Sequence, residues 1–461
     1  MPRLSRRSFL AAAACAAAQT SRPPNIVFIL TDDLGWGDLS CYGSRFKTPR
    51  LDQLAREGTQ FTQFYVNGPV CSPSRTAFFT GRFPNRLRVT GHFATEEINA
   101  KRGMPNFLDP AVPNLPRMLK KAGYVSGQFG KWHLGFYTGA PLPDAYGIDE
   151  HLTVASNETR WEEQRPGFRA QSTRLIVDEG IKFMEKNRDK PFYLALWTLL
   201  PHATLDPTDE QLAKVPTYGP ARAPKYTSAP QVYYASLRDL DDQIGRLMDK
   251  LGQMGLRENT IVLFSSDNGP EDIHLAEASH SGIGSPGPFR GRKRSLYEGG
   301  VRVPFLASWP GRIPAGRVDT TSVVSAVDFV PTLTRIAGVE PEQPKMLDGE
   351  DIRDALFGKP WKRTRPLLWE WRYRIAGYAT NHSPMLAVRD GNWKLLFNPD
   401  RSRVELYDIV RDSMEVDNVA AQNADVVRKL SDVALAWQKT LPPGPVDPDA
   451  GQINYTWPKA Q

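Results

Sequence analysis

Cysteine and histidine are both scarce, 3 and 7 in 461 residues. Cys15, Cys41 and Cys71 cannot build the disulfide framework that staples small secreted domains, so the fold must rest on a hydrophobic core. No apolar run reaches the roughly 18 residues that a membrane-spanning helix needs, and no spanning segment is read from the sequence. The basic excess is small: 58 Lys and Arg face 51 Asp and Glu, a net charge of +7. It shrinks further without Arg3, Arg6 and Arg7 at the N-terminus. A dedicated nucleic-acid binder carries a stronger field, and no nucleic-acid partner is expected. Repeats are absent. What remains, 40% hydrophobic and 24% charged, is the composition of a folding chain. Its length suits one large domain and one smaller.

Ser5-Arg6-Arg7-Ser8-Phe9-Leu10 followed by Ala11 to Ala18 forms a basic head, a weakly apolar stretch and small residues suited to a signal peptidase. The paired arginines resemble the bacterial twin-arginine signal, so residues 1–18 are expected to direct export through that machinery, giving a periplasmic or secreted product. Cys15 leaves a lipid anchor as the reserve. Asn157-Glu158-Thr159 and Asn454-Tyr455-Thr456 match a glycosylation pattern that carries no weight in a bacterial product.

Asn25 to Leu30 is a continuous β-branched and aromatic run that stops at Thr31-Asp32-Asp33, which reads as a buried parallel strand. Three more apolar runs end in polar groups: Tyr124 to Phe129 before Gly130-Lys131-Trp132-His133, Phe192 to Trp197 before Pro201-His202, and Thr260 to Ser266 before Asp267-Asn268-Gly269. Helical patterns, Asn114 to Ala122 and Tyr233 to Met254 among them, separate these runs. The alternation predicts an α/β fold, a large, mostly parallel sheet between helices, with ligands bound outside the carboxyl ends of the strands.

Asp32, Asp33, Asp267 and Asn268 offer only hard oxygen donors, and three gathered carboxylates repel unless a cation sits among them. Calcium fits best and magnesium next; without His or Cys in the set, zinc is disfavoured. Taken singly, each acid could equally cap a helix or begin a turn.

Pro69-Val70-Cys71-Ser72-Pro73-Ser74-Arg75 leads into Thr76-Ala77-Phe78-Phe79-Thr80-Gly81-Arg82, with a helix predicted from Ser74. Cys71 then stands before a positive helix end with Arg75 one turn away, a place that welcomes an anion. An inert buried thiol and a thiolate nucleophile are both open readings, and neither accounts for a hard-cation site nearby.

Cys71-Ser72-Pro73-Ser74-Arg75 with Phe79-Thr80-Gly81-Arg82 resembles the signature of the formylglycine-dependent sulfatases, C-x-P-S-R-x-x-x-[LF]-T-G-R. In that family a separate maturation enzyme oxidises the cysteine to formylglycine. Gly130-Lys131-Trp132-His133-Leu134-Gly135 resembles the second signature, and Gly291-Arg292-Lys293 with Tyr297-Glu298-Gly299-Gly300 resembles the late lysine loop. The likeness runs from about Pro24 to about residue 440.

The resemblance implies that the side chain at 71, as a hydrated aldehyde, joins Asp32, Asp33, Asp267 and Asn268 around one calcium ion and attacks the sulfur of a sulfate ester. A covalent sulfated intermediate forms, an alcohol leaves, and the second hydroxyl expels sulfate. Arg75 and Lys131 are expected to hold this group and the sulfate, His133 to take a proton from it, and His202 and Lys293 to grip sulfate oxygens and ease departure of the alcohol. The expected substrate is a sulfated carbohydrate or another sulfate ester. Competing readings are a phosphatase or phosphodiesterase of the related alkaline-phosphatase-like superfamily, against which Cys71 argues, and a protein that binds sulfated glycans without turnover.

Two irregular stretches, Arg82 to Pro113 and His274 to Arg294, are expected to wall the substrate pocket. Val339 to Lys345 reads as a boundary loop between a catalytic domain, 23–345, and a smaller α+β C-terminal subdomain, 346–461. Met385 to Phe397 and Val404 to Ile409 suggest antiparallel strands there, Ala424 to Thr440 an amphipathic helix, and the residues from Leu441 a proline-rich tail. Trp369, Glu370, Trp371 and Arg372 are candidates to face the pocket, with core packing expected of at least one of the tryptophans.

Overall fold

The computed structural model describes residues 22–135, 139–155, 161, 167–217 and 228–453. The expected leader with Arg6, Arg7 and Cys15, and the motifs at Asn157 and Asn454, lie outside the described residues. Among the described residues no helix is long and apolar enough to cross a membrane.

The main sheet is built from β1 (Asn25–Asp32), β2 (Thr59–Tyr65), β3 (Val125–Lys131), β4 (Glu150–Val154), β5 (Phe192–Pro201), β6 (Thr260–Ser266), β7 (Arg302–Ser308), β8 (Arg317–Asp319) and β9 (Val324–Ser325). Its order is β4-β3-β5-β1-β6-β7-β2-β8, with β9 also on β2. Every residue of β1 is buried, because helices cover both faces of the sheet. Side chains still alternate: Val27 and Ile29 join one core cluster, Ile26, Phe28 and Leu30 the other. The helices Phe168–Lys186 and Ala229–Gln253 contribute to the first, and Cys71–Thr80 and Phe329–Ile336 to the second.

Strands β3, β5, β1 and β6 run parallel, so Lys131, Pro201, Asp32 and Ser266 end on one edge. β7 is antiparallel to both β6 and β2, making the sheet mixed. The predicted mostly parallel α/β architecture is therefore observed, together with the separate antiparallel sheet: β10 (Leu367–Glu370), β11 (Leu386–Asp390), β12 (Trp393–Phe397) and β13 (Glu405–Asp408). The helix Ala424–Gln438 packs on this second sheet.

Two details sharpen the sequence reading. The helix predicted from Ser74 begins at Cys71, with Pro73 in its first turn. Proline is tolerated there because the first N–H groups of a helix have no intrahelical acceptor. Trp369 does not face a pocket. It is 1% exposed, and its indole Nε1 donates to the Val66 carbonyl at 2.8 Å, tying the second sheet to the end of β2.

Candidate active site

Four strand ends deliver six polar groups to the same place. Asp32 closes β1 and Asp33 follows in the left-handed region at φ 66°; Asp267 and Asn268 follow β6, Lys131 closes β3, and His202 follows β5. From below, the helix Cys71–Thr80 runs wholly buried, presenting Cys71 in its first turn and Arg75 one turn on. Lys293 arrives on a loop whose backbone is tied to the end of β6: its N–H donates to the Pro270 carbonyl at 3.0 Å. Close approach requires glycine here, since a Cβ on Gly269 would lie 1.9 Å from the Gly299 oxygen.

Ligand atoms of Asp32, Asp33, Cys71 and Asp267 all lie within 4.8 Å of one another, and all four residues are buried. Lys131 Nζ donates to Asp32 Oδ2 at 2.6 Å, Lys293 Nζ to Asp33 Oδ2 at 2.7 Å, and Arg75 to Asp267 Oδ2 at 2.7 and 3.0 Å. Three carboxylates thus meet three cationic side chains. The repulsion expected of the acids alone is relieved by these partners, and a divalent cation added to the balanced set would make the pocket electropositive, as an anionic ester requires.

Asn268 supplies a more direct sign of a ligand. Its Nδ2 donates to Asp33 Oδ1 at 2.7 Å and to the Gly269 carbonyl at 2.8 Å, while its Oδ1 is buried with no hydrogen-bond partner. A buried orphan acceptor beside three carboxylates suits a hard cation, so the donor set could hold calcium or magnesium.

Burial acts to raise Asp32, but Lys131, then His202, Arg75 and Lys293 hold it well below the usual carboxylate range. Asp267 moves the opposite way, to about 7, because burial and the Asp32 charge outweigh Arg75. Burial also pushes the Cys71 thiol up, and the nearby Lys131 does not reverse this. The thiol accordingly donates to Asp32 Oδ1 at 3.4 Å, with Lys131 Nζ at 3.5 Å from the sulfur. An activated thiolate needs the opposite environment, so unmodified Cys71 is not poised as a nucleophile.

The two histidines present defined nitrogens. His133 sits at φ 56°, and its Nε2 lies 3.0 Å from the Phe93 carbonyl, which makes Nε2 the protonated atom and Nδ1 the basic one. Burial, then Lys131, holds it well below its ordinary value, so it is neutral. His202 bonds the Ala203 carbonyl through Nδ1 at 2.6 Å and turns Nε2 toward Asp33 Oδ2 at 3.8 Å.

The residues expected to bind the metal or the sulfate meet here: Asp32, Asp33, Cys71, Asp267 and Asn268 at the centre, with Arg75, Lys131, Lys293 and His202 bonded to them or within 4 Å; His133 feels the charges of Lys131 and Arg75 but is bonded to the Phe93 carbonyl. The stretch Arg82 to Pro113 reaches the centre through Phe93, whose N–H donates to Ser72 Oγ at 3.0 Å. Three participants were not foreseen. Glu271 places Oε2 3.4 Å from Lys293 Nζ while pairing with Arg294; burial acts to raise it, but Lys293 and Arg294 take it down to about 2. Its signal was an acid just after Asp-Asn-Gly, facing the basic run Arg290 to Arg294. Arg169 donates to the carbonyls of His202 and Ala203, bracing the β5 end. Trp197 lies under the Arg75 guanidinium, 5.2 Å from ring centroid to Cζ.

A family model described as Sulfatase matches residues 24–339, and one described as N-sulphoglucosamine sulphohydrolase, C-terminal, matches residues 289–439. The chain is 36% identical to N-acetylgalactosamine-6-sulfatase of Canis lupus familiaris over 381 residues, covering 76% of this chain and 69% of that protein. It is 33% identical to arylsulfatase A of Homo sapiens over 431 residues, covering 85% and 78%. The crystal structure of Ps i-CgsB in complex with k-i-k-neocarrahexaose superposes with a TM-score of 0.76 at 26% identity, covering 91% of this chain and 94% of that one.

Proposed function

The chain belongs to the sulfatase family and is a sulfuric ester hydrolase, and from that premise we propose that it removes sulfate from a sulfated carbohydrate with a formylglycine made from Cys71 and one calcium ion. The observation that carries this reading is the pairing of a buried thiol, which burial keeps protonated, with a hard-oxygen set, Asp32, Asp33, Asp267 and Asn268, that a thiol alone cannot explain. Asp32, Asp33, Asp267, Asn268 and the side chain at 71 would hold the calcium, which when bound supplies charge to polarise the sulfate oxygens. Formylglycine supplies an oxygen nucleophile where the thiol cannot.

The chain's own residues do the rest. Arg75, fixed by Asp267 and by the Lys131 carbonyl at 3.2 Å, orients the first turn of the helix and the side chain at 71. Lys131 and Lys293 stay protonated because their acid neighbours, Asp32 and Asp33 respectively, raise them against burial, and they are aimed at the sulfate oxygens. His133, neutral and with Nδ1 basic, accepts the proton from the group at 71. His202 offers Nε2 to the departing oxygen, and an arriving anion favours its protonated form.

A sulfated sugar is favoured because the relatives named above include an N-acetylgalactosamine-6-sulfatase and a structure holding a neocarrahexaose. The reading includes maturation by a separate formylglycine-generating enzyme and export by the twin-arginine route to the periplasm or beyond.

Mass spectrometry of the tryptic peptide Glu57 to Arg75, from protein matured in a host able to oxidise it, tests the nucleophile. A species roughly 18 Da lighter than the cysteine form is expected, with release of sulfate from sulfated saccharides by the same preparation. Free cysteine alone, despite a competent host, would leave a sulfated-glycan-binding protein as the reading.

A further inference from the structure

Away from the catalytic centre, a cleft of about 410 Å³ opens where the edge of the main sheet meets the second sheet. The loop after β8 at residues 320–323, the stretch 361–365 ahead of β10, and the end of β11 with the turn Gly391-Asn392 form most of it, and Gln63 of β2 and Val410 after β13 complete it. None of its lining residues belongs to the group around Cys71.

Its chemistry is aromatic and cationic together. Trp361 lines it beside Val323 and Val410, and Val410 is 61% exposed, an apolar surface without cover. Arg363 and Arg389 also line it, and Lys362 and Arg365 are exposed around it. The one acid, Asp390, is engaged by Lys429 at 3.2 Å.

The two inner arginines are built in. Arg389 is 2% exposed; its terminal nitrogens donate to Tyr65 Oη at 2.9 Å and Gln63 Oε1 at 2.7 Å. Arg363, with a side chain 7% exposed, pairs with Asp328 and donates Nε to the Val323 carbonyl at 2.9 Å. Each nevertheless keeps one buried nitrogen without a partner, Nε of Arg389 and NH1 of Arg363. Both nitrogens lie beneath the surface, so the cations open to a ligand are the exposed Lys362 and Arg365, whose guanidinium suits the paired oxygens of a sulfate or carboxylate.

We propose that this cleft is an accessory binding site for an anionic saccharide unit, its ring on Trp361 and its sulfate or carboxylate toward Arg365 and Lys362. Amphipathic aromatic faces bury the apolar side of a sugar ring, and the surrounding cations select a charged one. A second contact on the same polymer raises its effective concentration at the catalytic centre without changing the chemistry there. The choice of polymer rests on the sulfatase reading; the cleft itself does not.

Two variants test this, Trp361→Ala and the pair Lys362→Ala with Arg365→Ala; Arg363 and Arg389 are left alone because they also hold the fold. The full matured chain is titrated with chondroitin 6-sulfate and κ-carrageenan oligosaccharides, with inorganic sulfate, and with neutral dextran, and turnover of 4-nitrophenyl sulfate is followed in parallel. Both variants should weaken binding of at least one sulfated oligosaccharide about 5- to 20-fold and raise KM for it in step. Turnover of the aryl ester should stay within about twofold of the parent. Unchanged oligosaccharide binding in both variants overturns the proposal. So does a loss with Lys362→Ala and Arg365→Ala but none with Trp361→Ala, which marks charge attraction without a saccharide site, or full competition by millimolar inorganic sulfate, which marks a simple anion site. Failure of the sulfatase reading is distinct: the parent would leave every sulfate ester intact while the binding comparison still reported on the cleft.

Discussion

Asn268 donates to Asp33 Oδ1 at 2.7 Å with the same amide whose oxygen is buried and without a partner, so the bond that fixes the side chain also presents a bare acceptor beside three carboxylates. A cation bound there stabilises the native state by mass action, about 2.7 kcal/mol at a hundredfold excess over Kd. Calcium should therefore raise the unfolding temperature of the parent, and Asn268→Ala should shrink that rise to a small fraction. Scanning calorimetry with and without calcium measures it. Because the substitution also removes the bond to Asp33, the comparison is the calcium-induced rise, not the starting temperature. Equal rises would remove Asn268 from the metal set.

Cys71→Ser should abolish steady turnover, by roughly 10³-fold or more, while leaving the fold intact, since the thiol is a nearly isosteric buried group. A single hydroxyl has no second oxygen with which to expel a transferred sulfate, so stalled protein about 80 Da heavier is expected after incubation with substrate. Intact-mass measurement detects it. Continued turnover would exclude a geminal diol at position 71.

Gly269 and Gly299 bring two chain segments into backbone contact, and the Gly269 N–H donates to the Gly300 carbonyl at 3.0 Å. Gly269→Ala forces a Cβ into the Gly299 oxygen and must push the lysine loop away from β6. Catalytic efficiency should fall about 10²-fold through displacement of Lys293, with calcium affinity changed less. Kinetics and calcium titration on the same preparation check the split. Parallel losses in both would mean that β6 itself had moved.

The four strands that carry chemistry were readable because β1, β5 and β6 are long apolar runs and each of the four stops at a polar group; β3, with Ser126, Gly127 and Gln128, was the weakest of them. β2 was not, because Gln60 and Gln63 make it look half-exposed. Their amides are buried and satisfied by the Cys41 carbonyl at 2.9 Å and the Thr320 carbonyl at 2.6 Å, partners distant in sequence. Lys394 likewise reads as a surface residue in β12 yet is fully buried between two acids. The site residues were legible from motif spacing; Glu271 and Arg169 were not, since they act by bracing other residues and carry no spacing of their own. The short helix Glu96–Lys101, capped by Thr95 within the stretch read as irregular, is too brief to show a period.

His92 should make the protein acid-labile. Burial, then Arg102, with Lys293, Arg294 and Lys131 nearby, lowers it from the ordinary 6.5 to about 3. The folded state keeps this imidazole neutral, whereas the unfolded chain protonates it below about 6.5. Its contribution is full above 6.5 and is lost as pH falls toward 3, because the unfolded state binds the extra proton. His92→Gln should reduce the pH slope of stability between 6.5 and 4 by up to about one proton. Denaturant unfolding at several pH values, with calcium saturating, measures the slope. An unchanged slope would show that His92 protonates in the native state.

Lys394 on β12 lies 2.9 Å from both Glu298 Oε1 and Glu415 Oε1, and all three side chains are fully buried. Glu298 stands one residue before the Gly299-Gly300 contact with β6, so this ion cluster joins the second sheet to the loop that carries Lys293. Tyr65 Oη and Arg302 also bond Glu298, at 2.7 and 3.1 Å. Removing one member leaves a buried charge uncompensated, which costs about 3–5 kcal/mol, more than an intact pair contributes. Lys394→Met should therefore destabilise strongly and lower kcat by loosening Lys293. Adding Glu415→Gln to Lys394→Met should cost less than the sum of the two single changes, because Glu298 keeps Arg302 whereas Glu415 loses its cation, and the second change removes that orphaned charge. A double-mutant cycle read by denaturant unfolding gives the coupling, and parallel kinetics shows whether the loop returns with it. Additive energies would mean that Lys394→Met leaves no orphaned charge on Glu415, and an unchanged kcat that the second sheet has no hold on the catalytic lysine.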